Sequence, residues 1–415
     1  MKIGILSYYF PPEPAFIPGS LAEELAARGH EVRVLTGFPD YPGGRVYPGW
    51  RQRWHHETHS ERLTVRRVPR FPGGDGSSPA GRYASYLSFA GSAALTGPRY
   101  LTGIDALYVY HLPASTFAAA GLLRLLRRVP TVLHVQDLWP DGADPDRGPW
   151  RSRLDRTIRQ IYDAARAVAV ITPSMREQVI ADGADPAKVR VVLNWTDERI
   201  FQPVRPSEAA RRLVRRDGRC VVMHAGTLGP RQQLETAVRA AAAVNGRTDL
   251  VLVGSGPEED RLRRLADELG AANVRFEARR SPVEMPDLYA AADYQLVSLA
   301  DRPVLRGAVP ATLPAAFACA APVVASAAGD TVDLVERARA GLSCPPGDWS
   351  TLADRFWLAA TIPVEARREM GQRGRESYLH RMSMQAGVDQ IQRLLYEVAT
   401  GRAGPGAADL RQSPK

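Results

Sequence analysis

The sequence predicts an α/β protein of two doubly wound, Rossmann-like domains facing across a cleft, and three observations lead there. Its 415 residues exceed what one hydrophobic core usually supports, which favours two domains of roughly 150 to 200 residues each. Short apolar runs alternate with amphipathic stretches along the chain. That alternation stops in a Pro- and Arg-rich stretch after about residue 200 and restarts at Cys220.

"KIGILSYYF" is an apolar strand ended by "PPEP", and "GSLAEELAARGHEV" then places Leu21, Leu25 and paired alanines at helical spacing. Gly29 stops that helix and "EVRVLTG" resumes as a strand, giving a βαβ unit and hence a parallel sheet. Further strands are expected at "ALYVYH" (106–111), "PTVLHVQD" (130–137) and "AVAVITPS" (167–174). "VRVVLNWTDERIFQPVRP" (189–206) closes a first domain over 1–205, and the stretch to about Arg219 reads as a linker. The second domain, 206–380, opens with "CVVMHAGTLG" (220–229) and a helix from Gln233. It continues through "DLVLVGSGPEEDRLRRLADELG", "NVRFEA", "ADYQLVSLA" and "APVVAS". A helix over 381–400 is expected to cross back to the first domain, and 401–415, without apolar periodicity, to be a disordered tail.

Composition narrows the class. With 45% hydrophobic and 24% charged residues and no apolar run of membrane-spanning length, the chain is expected to be a cytoplasmic globular protein. Cys220, Cys319 and Cys344 lack metal-site spacing and are expected as small buried hydrophobes. The formal charge is +9, but only Lys2, Lys188 and Lys415 among the 54 basic residues are lysines. So lopsided a use of arginine reflects codon usage more than a polyanionic partner. No nucleic-acid partner is expected, peripheral membrane contact is not favoured, and a monomer or homodimer is anticipated.

One segment can be argued from its chemistry alone. In "AGTLGPRQQLE" a glycine-rich turn follows a strand and precedes a helix. Backbone N–H groups there face an anion, the helix dipole adds to the field, and Arg231 supplies a bidentate phosphate partner. The bland alternative is a solvated arginine on a glycine-capped loop. "LVGSGPEED" lacks the third glycine of a dinucleotide fingerprint.

Several motifs, in order and over about residues 2–380, resemble retaining GT-B glycosyltransferases of the family 4 type, in particular the branch of bacterial fucosamine and colanic acid sugar transferases. They are "YYFPPEP", "LAEELAARGHEVRVLTGFPDYPGGRVYPG", "HVQDLWPD", "ITPSMREQVIADGADPAKVRVVLNWTD" and "HAGTLGPRQQLE". The resemblance implies a nucleoside diphosphate sugar donor on the second domain, an acceptor on the first, and no metal or other cofactor. It makes Gly226, Thr227 and Arg231 the diphosphate frame, with Gly254, Ser255 and Gly256 beside it. Arg279 and Arg280 then flank the base. His111 matches an HxP histidine close to the transferred sugar, and Asp137 orients an acceptor hydroxyl or stabilises charge on the sugar. As bland alternatives, His111 is capped by backbone groups and Asp137 forms a turn. "DPD" at 144–146 has the form of a metal motif but lies in a Gly/Pro-rich loop, and "WRQRWHHETH" (50–59) is expected as a mobile acceptor-side loop.

The chain departs from the pattern at "GAVPATLPAAFACAAPVVASAAG" (307–329). The serine, lysine, second glutamate and last glycine of similar proteins fall on Ala311, Thr312, Ala315 and Ala320, and the first glutamate on Gly307. Backbone N–H groups of Ala311, Thr312 and Leu313 are left to hold an oxygen or phosphate. At the N-terminal loop the small pair of similar proteins falls on Ala15 and Phe16, so Phe16, Ile17, Pro18 and Gly19 are expected near the sugar. These losses suggest a modified sugar passed from a UDP or GDP donor to a small thiol or amine, as in antibiotic or other secondary-metabolite biosynthesis. The alternatives are a transferase acting on lipid-linked cell-envelope acceptors and a catalytically silent partner protein.

Overall fold

Lys2–Ser7 (β1) is buried at every residue after Lys2, as expected of a strand covered on both faces. The computed structural model describes residues 1–41, 43–72, 79–111, 116–138, 148–216 and 218–402. The chain divides into two units, Met1–Asn194 with Gly387 onward, and Trp195–Ala386.

The first unit runs α1 (Phe16–Ala27), β2 (Glu31–Gly37), β3 (His56–His59), β4 (Leu63–Val68), α2 (Pro79–Tyr100), β5 (Ala106–His111), α3 (Thr116–Arg127), β6 (Thr131–Val135), α4 (Gly148–Ala164), β7 (Ala167–Val170), α5 (Pro173–Ala181) and β8 (Val189–Val191). Its eight strands lie in the order β3-β4-β2-β1-β5-β6-β7-β8, all parallel except the β3–β4 pair. Helix starts follow local chemistry. Thr172 caps α5 by accepting from Met175 N, with Pro173 in the first turn where its missing N–H costs nothing.

The second unit contains α6 (Glu208–Val214), β9 (Cys220–Thr227), α7 (Glu235–Ala243), β10 (Thr248–Ser255), α8 (Glu259–Glu268), β11 (Val274–Glu277), α9 (Met285–Ala291), β12 (Tyr294–Ser298), α10 (Thr312–Ala318), β13 (Val323–Ser326), α11 (Asp330–Ala338), β14 (Gly341–Cys344), α12 (Trp349–Thr361) and α13 (Val364–Arg381). Its six parallel strands are ordered β11-β10-β9-β12-β13-β14. A last helix, α14 (Met384–Thr400), joins the first unit from Gly387, where Asp389 and Gln392 receive hydrogen bonds of 2.6 and 2.7 Å from Arg28.

Four expectations need correction. The units meet at 194/195 rather than 205/206, because Glu198 accepts from the Tyr378 hydroxyl (3.0 Å) and Phe201 packs on Tyr289, both in the second unit. The supposed linker contains α6, capped by Ser207, whose hydroxyl accepts from Ala210 N. The α7 helix begins at Glu235 rather than Gln233, since Gln233 has a left-handed φ of 45°. The supposed loop at 50–59 ends in β3, held by antiparallel pairing of His56–His59 with β4. The three cysteines are free and buried. No helix among the described residues is long and apolar enough to cross a membrane.

Candidate functional site

In the second unit, the carboxyl ends of β9 and β10 are zipped together. Gly226 pairs with Gly254 and Thr227 with Ser255. Beyond the strands, Leu228 N donates to Ser255 O (3.0 Å) and Glu258 N to Leu228 O (3.0 Å). A Cβ on Gly254 would lie 1.9 Å from Gly226 O, and one on Gly256 would lie 2.3 Å from Leu228 O. The glycines of "AGT" and "GSG" therefore answer first to the approach of one backbone to another. The result is a narrow ledge with Gly226, Thr227 and Ser255 exposed along it.

Arg231 stands exposed in the turn after β9, and its carbonyl accepts from Ala300 N (2.8 Å), tying this turn to the segment after β12. The α7 amino end does not reinforce it as the sequence suggested. Glu235 occupies the first helical position, and Arg239 and Arg261 pair with it at 2.9 and 2.8 Å, so a carboxylate already meets that helix dipole. The Thr312 methyl lies 3.8 Å from where a Gly226 Cβ would stand, which brings the 307–312 segment beside the ledge. Arg279 is exposed two residues beyond β11, the edge strand, and Arg280 pairs with Glu284 at 3.8 Å.

The unusual segment splits in two. Gly307–Pro310 and Thr312 are half-buried and Ala311 is exposed, whereas Leu313–Ala318 are all buried. Leu313 N donates to Pro310 O (2.9 Å), so it is not available to a ligand as expected. On α13, a Cβ at Gly371 would lie 2.0 Å from Ala320 O and one at Gly374 3.1 Å from the Phe317 ring, so this helix packs closely on α10. The alanine-rich composition is that of a core helix.

In the first unit, His111 is the last residue of β5, in register with Val135, and Asp137 lies exposed two residues beyond β6. Asp137 sits close enough to Tyr86 and Tyr110 for its charge to help hold both hydroxyls above the usual range, burial being the larger cause. Phe16–Gly19 is no loop but the first turn of α1, with Ile17, Pro18 and Gly19 buried and Phe16 half-buried. Proline fits there because first-turn N–H groups need no helical acceptor. The rest of the HxP motif, Leu112 and Pro113, and the "DPD" at 144–146 lie outside the described residues. Among the described residues no group of three or more His, Cys, Asp or Glu is placed to hold a metal ion.

Residues 17–195 match the glycosyl transferase 4-like domain, and residues 207–377 match the glycosyl transferases group 1 family. The chain is a group 1 glycosyltransferase. Over 404 residues, 96% of this glycosyltransferase and 97% of its relative, it is 24% identical to the N-acetyl-alpha-D-glucosaminyl L-malate synthase of Bacillus anthracis. It is 28% identical, over 76% of itself and 79% of the relative, to the Escherichia coli glycosyl transferase WcaI, provisionally assigned to colanic acid biosynthesis. Solved GT-B structures share its fold: sucrose-phosphate synthase from Thermosynechococcus elongatus (TM-score 0.74, 20% identity, 97% and 100% of the two chains) and Anabaena HepE in complex with UDP (0.69, 18%, 96% and 100%).

Sequence reasoning missed one polar cluster of this glycosyltransferase. At the carboxyl ends of β1, β2 and β4, Arg70 Nη2 reaches Glu13 Oε1 (2.8 Å) and Asp40, its Nε donates to Phe38 O (3.1 Å), and its guanidinium lies 4.1 Å from the Tyr8 ring centroid. A Cβ on Gly37 would meet Arg70 Cδ at 2.8 Å. Burial raises the Glu13 pKa against the opposing pull of Arg70. The acid in "PPEP" and the arginines in "RRVPR" were the available signal, obscured because β4 was not recognised as a strand. His134 and His224 were also missed. Both are buried and held neutral by desolvation, and His224 lies beneath the ledge, 3.6 Å from a Gly226 Cβ position.

Proposed function

We propose that this glycosyltransferase works in the cytoplasm, moving a sugar from a UDP- or GDP-sugar to a small-molecule acceptor with retention of configuration and without a metal. The observation that carries this reading is the ledge at β9 and β10, where exposed Gly226, Thr227 and Ser255 accompany Arg231 and Thr312 within one unit. The diphosphate rests on that ledge with Arg231 as its cationic partner, and the N–H groups of Ala311 and Thr312 take a further oxygen. HepE, which shares the fold, is known in complex with UDP and with UDP-glucose. The malate synthase, similar over nearly the whole chain, supports a small acceptor.

In the transfer the sugar C1–O bond to the diphosphate breaks and a bond from C1 to the acceptor oxygen, nitrogen or sulfur forms on the same face. The acceptor proton passes to the departing phosphate oxygen. Arg231 stabilises charge building on the diphosphate, while Asp137 and His111 serve the acceptor and the sugar. The buried Glu13–Arg70–Asp40 cluster fixes the loops after β1 and β2 on the acceptor unit. With the alanines of α10 assigned to packing, discrimination of an unusual sugar falls to the shorter stretch Gly307–Thr312.

Release of free UDP or GDP, followed with a panel of UDP- and GDP-sugars against hydroxy acids, thiols and amines, with and without EDTA, tests the proposal. Turnover on a small acceptor unaffected by EDTA is expected. Turnover confined to lipid-linked acceptors, the reading favoured by the similarity to WcaI, would replace the small acceptor, and loss of turnover with EDTA would remove metal independence.

A further inference from the structure

The second unit contains a cavity of about 620 Å³ whose lining includes Arg205, Arg211, Arg215 and Arg368 beside Val204 and Pro206. It lies near the amino ends of β9 and β12, whereas Arg231 follows the carboxyl end of β9. The placement follows from Arg215, which is anchored by Nε to Ala291 O (2.9 Å) and by Nη2 to Asp293 (2.7 Å), just before β12. Among the described residues, no carboxylate lines the cavity.

Three acids close to the cavity, Asp293, Glu208 and Asp287, are already engaged. Asp293 also accepts from Arg367 (2.7 Å) and from Val221 N (2.9 Å). Glu208 on α6 pairs with Arg212 at 3.6 Å, and Asp287 on α9 accepts from Ser207 N and its hydroxyl, each at 2.6 Å. The guanidinium groups of Arg205, Arg211 and Arg368 have no ionic or hydrogen-bonding partner among the described residues. Elsewhere on this surface arginines pair readily, as in the Arg239–Glu235 and Arg261–Glu258 bridges.

Like charges gathered around a concavity without a counter-charge attract multivalent anions, and a planar guanidinium matches phosphate oxygens with two parallel donors. A volume of about 620 Å³ falls within the range of small-molecule pockets. We propose that this cavity is a second anion site, separate from the donor ledge, that binds a phosphate-bearing ligand. Arg215 is the fixed element, because two of its nitrogens are tied to protein oxygens, and Arg211 and Arg368 close on the ligand. The source is either a soluble polyphosphorylated molecule or the phosphate of a lipid headgroup.

Hydrogen–deuterium exchange on the full chain tests the site, with inorganic tripolyphosphate as one probe and phosphatidylglycerol vesicles, against phosphatidylcholine vesicles, as the other. Protection of segments 204–216 and 364–370 is expected with at least one probe. It should be lost in the Arg211→Ala/Arg368→Ala variant, whose melting temperature without ligand confirms folding, and kept in Arg231→Ala. Protection by tripolyphosphate alone assigns the soluble source, and protection by anionic vesicles alone assigns the headgroup. No protection with either probe, or equal protection in the double variant, overturns the proposal.

Discussion

Arg70 Nη2 lies 2.8 Å from Glu13 Oε1, with both side chains essentially shut off from solvent. Glu13 also accepts from the N–H groups of Phe10 (3.2 Å), Asp40 (3.1 Å) and Tyr41 (3.1 Å), so one carboxylate gathers the loops that follow β1 and β2 in the first unit. Removing one partner of a buried pair leaves a charge stranded, typically at a cost of about 3–5 kcal/mol. Glu13→Gln is expected toward the lower end of that range, because Asp40 still faces Arg70. Urea denaturation measures it, and adding Arg70→Met should deepen the loss, because buried Asp40 then loses its guanidinium partner as well.

The two glycine environments predict opposite outcomes for the same substitution. Gly254→Ala places a Cβ 1.9 Å from a backbone oxygen at a φ of 152°, and should lower the melting temperature while abolishing stabilisation by UDP or GDP. Gly91 lies within α2 with nothing within 4 Å of an added Cβ, so Gly91→Ala should raise stability by about 0.5–1 kcal/mol. Thermal melts of both variants provide the check.

His134 is enclosed between Tyr108, whose hydroxyl lies 2.6 Å from Nδ1, and Gln136, and burial lowers its pKa to about 3. An unfolded histidine titrates near 6.5, so the unfolded chain binds the extra proton first as pH falls. The stability from keeping His134 neutral is complete above about pH 6.5 and declines as pH falls from there toward 3. His134→Gln should flatten melting temperature against pH on the acid side. An unchanged slope would remove His134 from that dependence.

Restoring the glutamate that similar proteins carry at position 315 should not restore a donor contact. Ala315 is only 4% exposed in a helix packed on α13, and a carboxylate buried there without a partner costs several kcal/mol. Ala315→Glu is expected to lower the melting temperature without tightening nucleotide binding, measured by calorimetry. Tighter binding would place position 315 at the ligand.

The two sheets were legible because every strand but β3, β4, β8 and β14 was expected near its place, most of them as short runs of Val, Ile, Leu or Ala. β3 and β4 were missed since "HHETH" and "TVRRV" alternate weakly and carry charges, as the edge strand β3 and its neighbour do here. The ledge glycines were found for an incomplete reason, because sequence shows that a turn needs glycine but not that another backbone passes 1.9 Å from its Cβ position. The alanines of α10 were misleading in the same way. Loss of polar residues signals a rewritten ligand contact and a packed helix alike, and only the burial of Leu313–Ala318 separates the two. The Glu13–Arg70 pair joins residues 57 positions apart, a distance that local patterning does not report.

The most direct test titrates UDP and GDP into the wild-type chain and the Arg231→Ala variant by isothermal calorimetry. One of the two nucleotides should bind the wild type. The variant, folded to the same melting temperature, should bind it about tenfold to a hundredfold more weakly, the loss of one charge-assisted contact. Equal affinity in the two proteins, or no binding of either nucleotide to the wild type, would contradict a diphosphate held on the β9–β10 ledge by Arg231.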